Sequence, residues 1–215
     1  MVSNTRASVP ARLAMLVCGL FIFAVSMALS LQCNLGANSW TVLHDGIAKQ
    51  TPLSIGIVTQ LVGLVMLIVS WIGGIKPGFG TLANMLLIGS FLDLILWSGV
   101  IPKAEGYPAR VAMLLAAVVV LGLGSALYIK AGFGAGPRDS FMLVVHRRTG
   151  LRLGVARWLI EVSAVVIGIL LGGDFGPGTI IFALLVGLSI DWFFNLLGVR
   201  IASPARPTTA APADA

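Results

Sequence analysis

The sequence predicts an all-α polytopic transmembrane bundle: two inverted-topology repeats of three spans each, with a short broken or re-entrant helix in each repeat. Three observations carry that expectation. Hydrophobic residues make up 58% of the 215-residue chain and charged residues 10%, whereas a soluble domain carries about 25% charged residues. Six apolar runs are long enough to cross a bilayer. The chain also aligns with itself, without a gap, at a shift of 98 residues.

The runs cover 13–31, 54–75, 80–100, 111–129, 153–172 and 178–198. The first, rising about 1.5 Å per residue, spans roughly 28 Å, close to the hydrocarbon thickness of a bilayer. It could also be read as a secretory signal, since Arg6 and Arg12 precede it and small residues lie near its end. The repeat argues against that reading, because Arg12, Ala14, Met15 and Leu16 recur as Arg110, Ala112, Met113 and Leu114. Residues 33–52 and 131–152 are too polar for lipid-facing spans. Each opens on a glycine-bearing turn and continues as a short amphipathic segment, at the interface or dipping into the protein.

The register of the duplication rests on residues that apolar composition alone would not align. Gly36-Ala37 falls on Gly134-Ala135, Thr51 on Thr149, and Gly56 on Gly154. Gly80-Thr81 falls on Gly178-Thr179, Gly89 on Gly187, and Asp93 on Asp191. With three spans per half, the second half enters the membrane from the opposite side. Charge supports that count. With a cytoplasmic N-terminus, eleven of the fourteen basic residues fall on or near the inside, and Lys49, Lys103 and Arg110 fall outside. The expected organisation is a cytoplasmic segment 1–11, a first repeat 12–100, an extracytoplasmic linker 101–109, a second repeat 110–198 and a disordered cytoplasmic tail 199–215. The expected location is the bacterial inner membrane, multi-pass, with both termini in the cytoplasm. The lipid bilayer is then the first partner.

The net charge of +6 is explained by this inside bias, so no nucleic-acid partner is expected. Cys18 and Cys33 sit about 22 Å apart along one continuous helix, too far for a disulfide, and read as small apolar fillers. No cofactor or metal is expected. Nor does a Ser/His/Asp constellation or a pair of catalytic carboxylates appear, so the chain is not read as an enzyme.

The candidate solute-binding residues are Arg138, Asp139, Arg157, Glu161, Asn38, Thr41 and His44. Glu161 falls about 12 Å into its span, where a charge suggests function by default; Arg157, one turn earlier, can pair with it. That pair is also readable as a structural one facing the bundle interior. Arg138 and Asp139 open the second short helix. There, free N–H groups and a guanidinium favour an anion; the plainer reading is a proline at the first helical position with Asp139 on first-turn amides. Asn38 and Thr41 belong to a polar counterpart in the first half. His44, beside Asp45, could shuttle protons, though an exposed loop histidine is the plainer expectation. Trp40, Leu43 and Ile47 share one helical face, read as packing. Asp93 and Asp191 suit helix-end or packing roles, Thr81 and Thr179 suit helix caps, and Gly168 with Gly172 suits close helix contact.

Several spaced motifs together resemble the YczE/YyaS/YitT-type bacterial membrane proteins, the YczE branch in particular. They are Gly-Ala-Gly-Pro-Arg-Asp at 134–139, Arg157 with Glu161, Gly-Pro-Gly-Thr at 176–179, Val42-Leu43-His44, Thr-Pro-Leu-Ser-Ile-Gly at 51–56 and Lys-Pro-Gly-Phe-Gly-Thr at 76–81. The resemblance covers residues 10–198 and implies a membrane location. Where that family tends to carry Pro-Trp-Asp, this chain has Ser39-Trp40-Thr41, so an acid remains only in the second half, at Asp139. Two functions stay open: a small secondary transporter or exporter of a small, anionic solute, and a non-transporting accessory or scaffold protein with a membrane partner or as a homo-oligomer.

Overall fold

The structure, a computed structural model, describes residues 8–134 and 136–199; most of the expected N-terminal segment and tail lies outside them. Eight helices and no strand occur among the described residues: α1 (Val9–Gln32), α2 (Ser39–Lys49), α3 (Ile55–Ile72), α4 (Phe79–Ser98), α5 (Tyr107–Lys130), α6 (Pro137–Thr149), α7 (Leu153–Leu170) and α8 (Pro177–Leu197). Six of them, all but α2 and α6, are long and apolar enough to cross a membrane. The chain is therefore a polytopic helical membrane protein. α1 begins at Val9 and α5 at Tyr107, earlier than the apolar runs suggest. Pro10 and Pro108 lie in the first turns, where a missing N–H costs nothing.

Local chemistry sets the helix ends. Asn38 accepts from Thr41 N at 3.1 Å to start α2, and Ser54 accepts from Ile57 N at 3.2 Å to start α3. Thr81 and Thr179 accept from the backbone N–H groups of Gly78 and Gly176 at 3.2 and 3.3 Å. Gly99, Gly150 and Gly198 close α4, α6 and α8 in left-handed conformation.

α1 packs along α5 at the centre. Small residues let the backbones approach: a Cβ on Gly124 would lie 2.7 Å from Phe23 N, and Ser26 donates to the Ala117 carbonyl at 2.6 Å. α4 packs on α1, and α8 on α5. Leu16, Leu20, Met27, Leu92 and Tyr128 fill the core on one side, and Leu114, Val118, Leu121 and Phe182 on the other. The remaining helices cross between the halves. α2 packs on α7 and α6 packs on α3, with Trp40, Leu43, Met66 and Ala164 buried between them.

The turns before the short helices explain the repeated Gly-Thr. Leu35 O accepts from Gly178 N at 2.7 Å, and Phe133 O, 98 residues later than Leu35, accepts from Gly80 N at 2.8 Å. Each turn thus docks on the first turn of a span in the other half. A Cβ on Gly80 or Gly178 would meet that carbonyl oxygen at 2.9 or 2.8 Å, so only glycine fits. Gly168 is equally tight, its Cβ position 2.7 Å from Leu43 N, while Gly172 faces open space. Close contact therefore belongs to the first member of that pair alone.

Candidate functional site

The short helices meet through their first turns. The Arg138 guanidinium of α6 stacks over the Trp40 ring of α2, 4.9 Å from its centroid. Arg138 stands 98 residues after Trp40, so the two equivalent positions of the repeat face one another. The stack holds a cation among apolar helices by offering it a π face. Trp40 therefore supports the charge as well as packing with Leu43 and Ile47 in the core.

A small cavity of about 20 Å³ lies beside the guanidinium, enough for a water molecule. His44 and Thr59 line it from α2 and α3, Asn84 and Met85 from α4, and Pro137 and Arg138 from α6. His44 is not an exposed loop histidine. It is 1% exposed, and its Nδ1 lies 3.0 Å from the Thr59 hydroxyl. The expectation of exposure failed because residues 33–52 fold inward, with α2 covered by α3 and α7.

The second half supplies the acids. Asp139 lies against the Tyr128 hydroxyl of α5. Arg157 pairs with Glu161 on α7, Nε to Oε1 at 3.1 Å. The charges of Arg157 and Glu161 act on Arg138, and that of Arg157 on Asp139, so the four form one electrostatic cluster. The Arg157–Glu161 pair does not face a closed bundle interior. The two side chains remain 55% and 32% exposed, because α7 packs on α2 and α6 and not along α8.

In the first half Asn38 caps α2, and its Nδ2 reaches the Ser30 hydroxyl at 3.5 Å. Thr41 stands where the second half has Asp139. Its hydroxyl is fully buried with no hydrogen-bond partner among the described residues. Such an atom costs about 1–3 kcal/mol.

Arg138, His44, Thr59 and Asn84 therefore line one cavity, Trp40 stacks on the guanidinium beside it, Asp139, Arg157 and Glu161 act on that guanidinium, and Asn38 serves as a cap. Tyr128, Thr59 and Asn84 were not singled out in the sequence. Their signal was a polar group inside an apolar run; for Trp40 it was the register with Arg138. A separate clamp pins α2 to the α7–α8 loop. Lys49 pairs with Asp45 at 2.6 Å, Asp45 accepts from Asp174 N at 2.8 Å, and Lys49 donates to Gly172 O at 3.1 Å. Burial and the neighbouring Asp45 push the Asp174 carboxyl above its ordinary range, opposed by Lys49. No group of three or more potential metal ligands occurs among the described residues.

Comparison with known proteins places the arrangement. A family model described as "Family of unknown function (DUF6198)" matches residues 10–195, nearly all of the described bundle. The chain belongs to this family. It is 32% identical to an "Uncharacterized protein" of Haemophilus influenzae over 185 residues, 86% of this chain and 84% of that one. It is 30% identical to the "Uncharacterized membrane protein YczE" of Bacillus subtilis over 200 residues, 90% and 92% of the two chains. The "Uncharacterized protein YyaS" of the same organism is 25% identical over 192 residues, 87% and 94%. No solved structure matches. The YczE resemblance read from the motifs thus holds over most of the chain, and the membrane location with it.

Proposed function

We propose that this DUF6198 protein is a small secondary transporter or exporter that binds a small anionic solute between α2 and α6, built as inverted repeats in the inner membrane. The observation that carries the reading is Arg138: a guanidinium on the first turn of an interrupted helix, stacked on Trp40 beside a polar cavity. Interrupted helices at membrane depth are where inverted-repeat transporters hold solutes, with helix N-termini toward anionic groups. Arg138 supplies a bidentate donor and His44, Thr59 and Asn84 supply neutral polar contacts. The cavity holds little more than a water, so the solute enters only as the helices part. Asp139, Glu161 or His44 then serves as the proton-coupling group.

The test is thermal unfolding of the purified protein in mild detergent against a panel of small carboxylates, phosphates and sulfonates. A ligand of the folded state stabilises it by about 2.7 kcal/mol at a hundredfold excess over Kd. The proposal expects a saturable rise for at least one anion, lost in Arg138→Gln and retained in Arg138→Lys at lower affinity. A rise that persists in Arg138→Gln would remove the arginine from the site.

The accessory reading has one observation in its favour. Arg157 and Glu161 are half-exposed on a span, and a partner helix could cover them. Co-purification of one stoichiometric membrane partner, with no anion response, would favour that function.

A further inference from the structure

The first half has a sealed seam that the second half lacks. α3 packs along α4, whereas α7 does not pack along α8. At the sealed seam Gly56 and Gly89 touch backbone to backbone, each leaving no space for a Cβ against the other's carbonyl oxygen. Asp93 latches it, accepting from the Ser54 hydroxyl and from Gly56 N at 2.8 Å. Gln60 donates across it to Leu86 O and the Ser90 hydroxyl at 2.8 and 2.9 Å.

Each of these positions has its counterpart 98 residues later, and each is unengaged. Nothing lies within 4 Å of a Cβ placed on Gly154 or Gly187. The first turn of α7 has no side-chain cap. The side chains of Asp191 and Arg152, counterparts of Asp93 and Ser54, are on exposed residues and make no hydrogen bond or ion pair with the described residues. Trp158, Leu184 and Leu188, counterparts of Gln60, Leu86 and Ser90, are 64%, 71% and 68% exposed.

We infer that the α7–α8 seam is the open gate of a two-state protein, and that it closes onto the geometry that α3 and α4 display. The second seam is complementary in both chemistry and volume. Asp191 takes the free N–H of Gly154, and Arg152, in place of Ser54, makes the latch an ion pair. Trp158 meets Leu184 and Leu188, an apolar replacement for the Gln60 bonds. In the sealed seam Met85 fills the space over Gly63, its Cγ 3.0 Å from a Cβ placed there. In the second the sizes are reversed, with the large Glu161 on α7 and the small Ala183 on α8. An open seam also answers why Glu161 lies partly exposed and Asp191 exposed inside spans. A charge facing lipid at that depth is expensive, and a water-filled cleft removes the cost. The cleft opens at the end of the bundle that carries Lys130, Arg147, Arg148 and Arg152. The inference concerns access to the proposed solute site but is read from a distance within the protein, so the absence of any solute flux would leave it standing.

The experiment is a spin-label distance measurement in lipid nanodiscs. Labels go on Val155→Cys and Leu196→Cys, outside the seam, in a chain with Cys18→Ser and Cys33→Ala. The inference expects two distances, the shorter belonging to the closed seam. Loss of a charge-assisted bond lowers the short population about tenfold, so Asp191→Asn and Arg152→Gln each deplete it, and Gly187→Leu abolishes it. Asp93→Asn, which unlatches the other seam, enriches it. A single long distance in the parent protein, unchanged by Asp93→Asn, would overturn the inference. So would a short distance indifferent to Asp191→Asn and Gly187→Leu.

Discussion

Asp93 and Asp191 are the same residue in the two repeats, yet their removal has different consequences. Asp93→Asn keeps an oxygen for Gly56 N but loses the anion and the acceptor for the Ser54 hydroxyl. A hydrogen bond to a charged group is worth about 1.5–3 kcal/mol in soluble proteins. Interhelical bonds within membranes average about 0.6 kcal/mol and reach about 1.7. The carboxylate at the α3 N-terminus adds about 0.3–1 kcal/mol through the helix dipole. The membrane values govern here, since the unfolded reference still spans lipid, and the sum is about 1–2.5 kcal/mol. Asp191→Asn removes a charge with no described partner and changes stability by less than about 0.5 kcal/mol. For a chain of this size, 1 kcal/mol shifts Tm by about 2–4 °C. The assay is thermal unfolding of both variants in one detergent, followed by circular dichroism. Asp93→Asn is expected to lower Tm by about 2–10 °C and Asp191→Asn by less than about 2 °C. Equal losses would refute the assignment of one sealed and one open seam.

Three further outcomes follow from single residues. Thr41→Val replaces a buried hydroxyl lacking a partner by a methyl of the same shape, and is expected to raise stability by about 1 kcal/mol in detergent; a loss would show that the hydroxyl is bonded. His44→Leu breaks the Thr59 contact in a fully buried position and is expected to cost about 1–3 kcal/mol, visible as a lowered Tm, whereas an exposed histidine would cost almost nothing. Asp174, whose carboxyl is raised by burial and by Asp45, favours the folded state below its unfolded pKa. That contribution is lost as pH rises through the folded value. Asp174→Asn is therefore expected to flatten the fall in Tm as pH rises above the ordinary carboxylate range, and an unchanged pH profile would contradict it.

The spans and the duplication were legible because both are written in local pattern. Apolar runs reveal helix length, and glycine, threonine and aspartate in register reveal the repeat. The helix starts at Val9 and Tyr107 were missed because the runs were bounded by Arg12 and Arg110, although Pro10 and Pro108 mark first turns. The site was legible in part. Arg138 and Glu161 stand out as charges among apolar residues, and Arg157, the i, i+4 partner of Glu161, follows from helical spacing. The burial of His44 was hidden, since residues 33–52 are polar enough to read as an interface, and contacts from α3, folded back from the next span, and from α7 in the other half cover them. The seam asymmetry was equally hidden. Gly56, Gly89 and Asp93 recur as Gly154, Gly187 and Asp191, and which set is packed is not written in local pattern.

In the proposed function an anionic solute passes between α2 and α6. Its most direct test is exchange across proteoliposomes loaded with a filtered extract of bacterial metabolites, read by mass spectrometry against protein-free vesicles and an Arg138→Gln variant. At least one small anion is expected to equilibrate across the protein-containing membrane and to be retained in the variant. No anion moving faster than in protein-free vesicles, from a protein that unfolds cooperatively and keeps its seams, would contradict it.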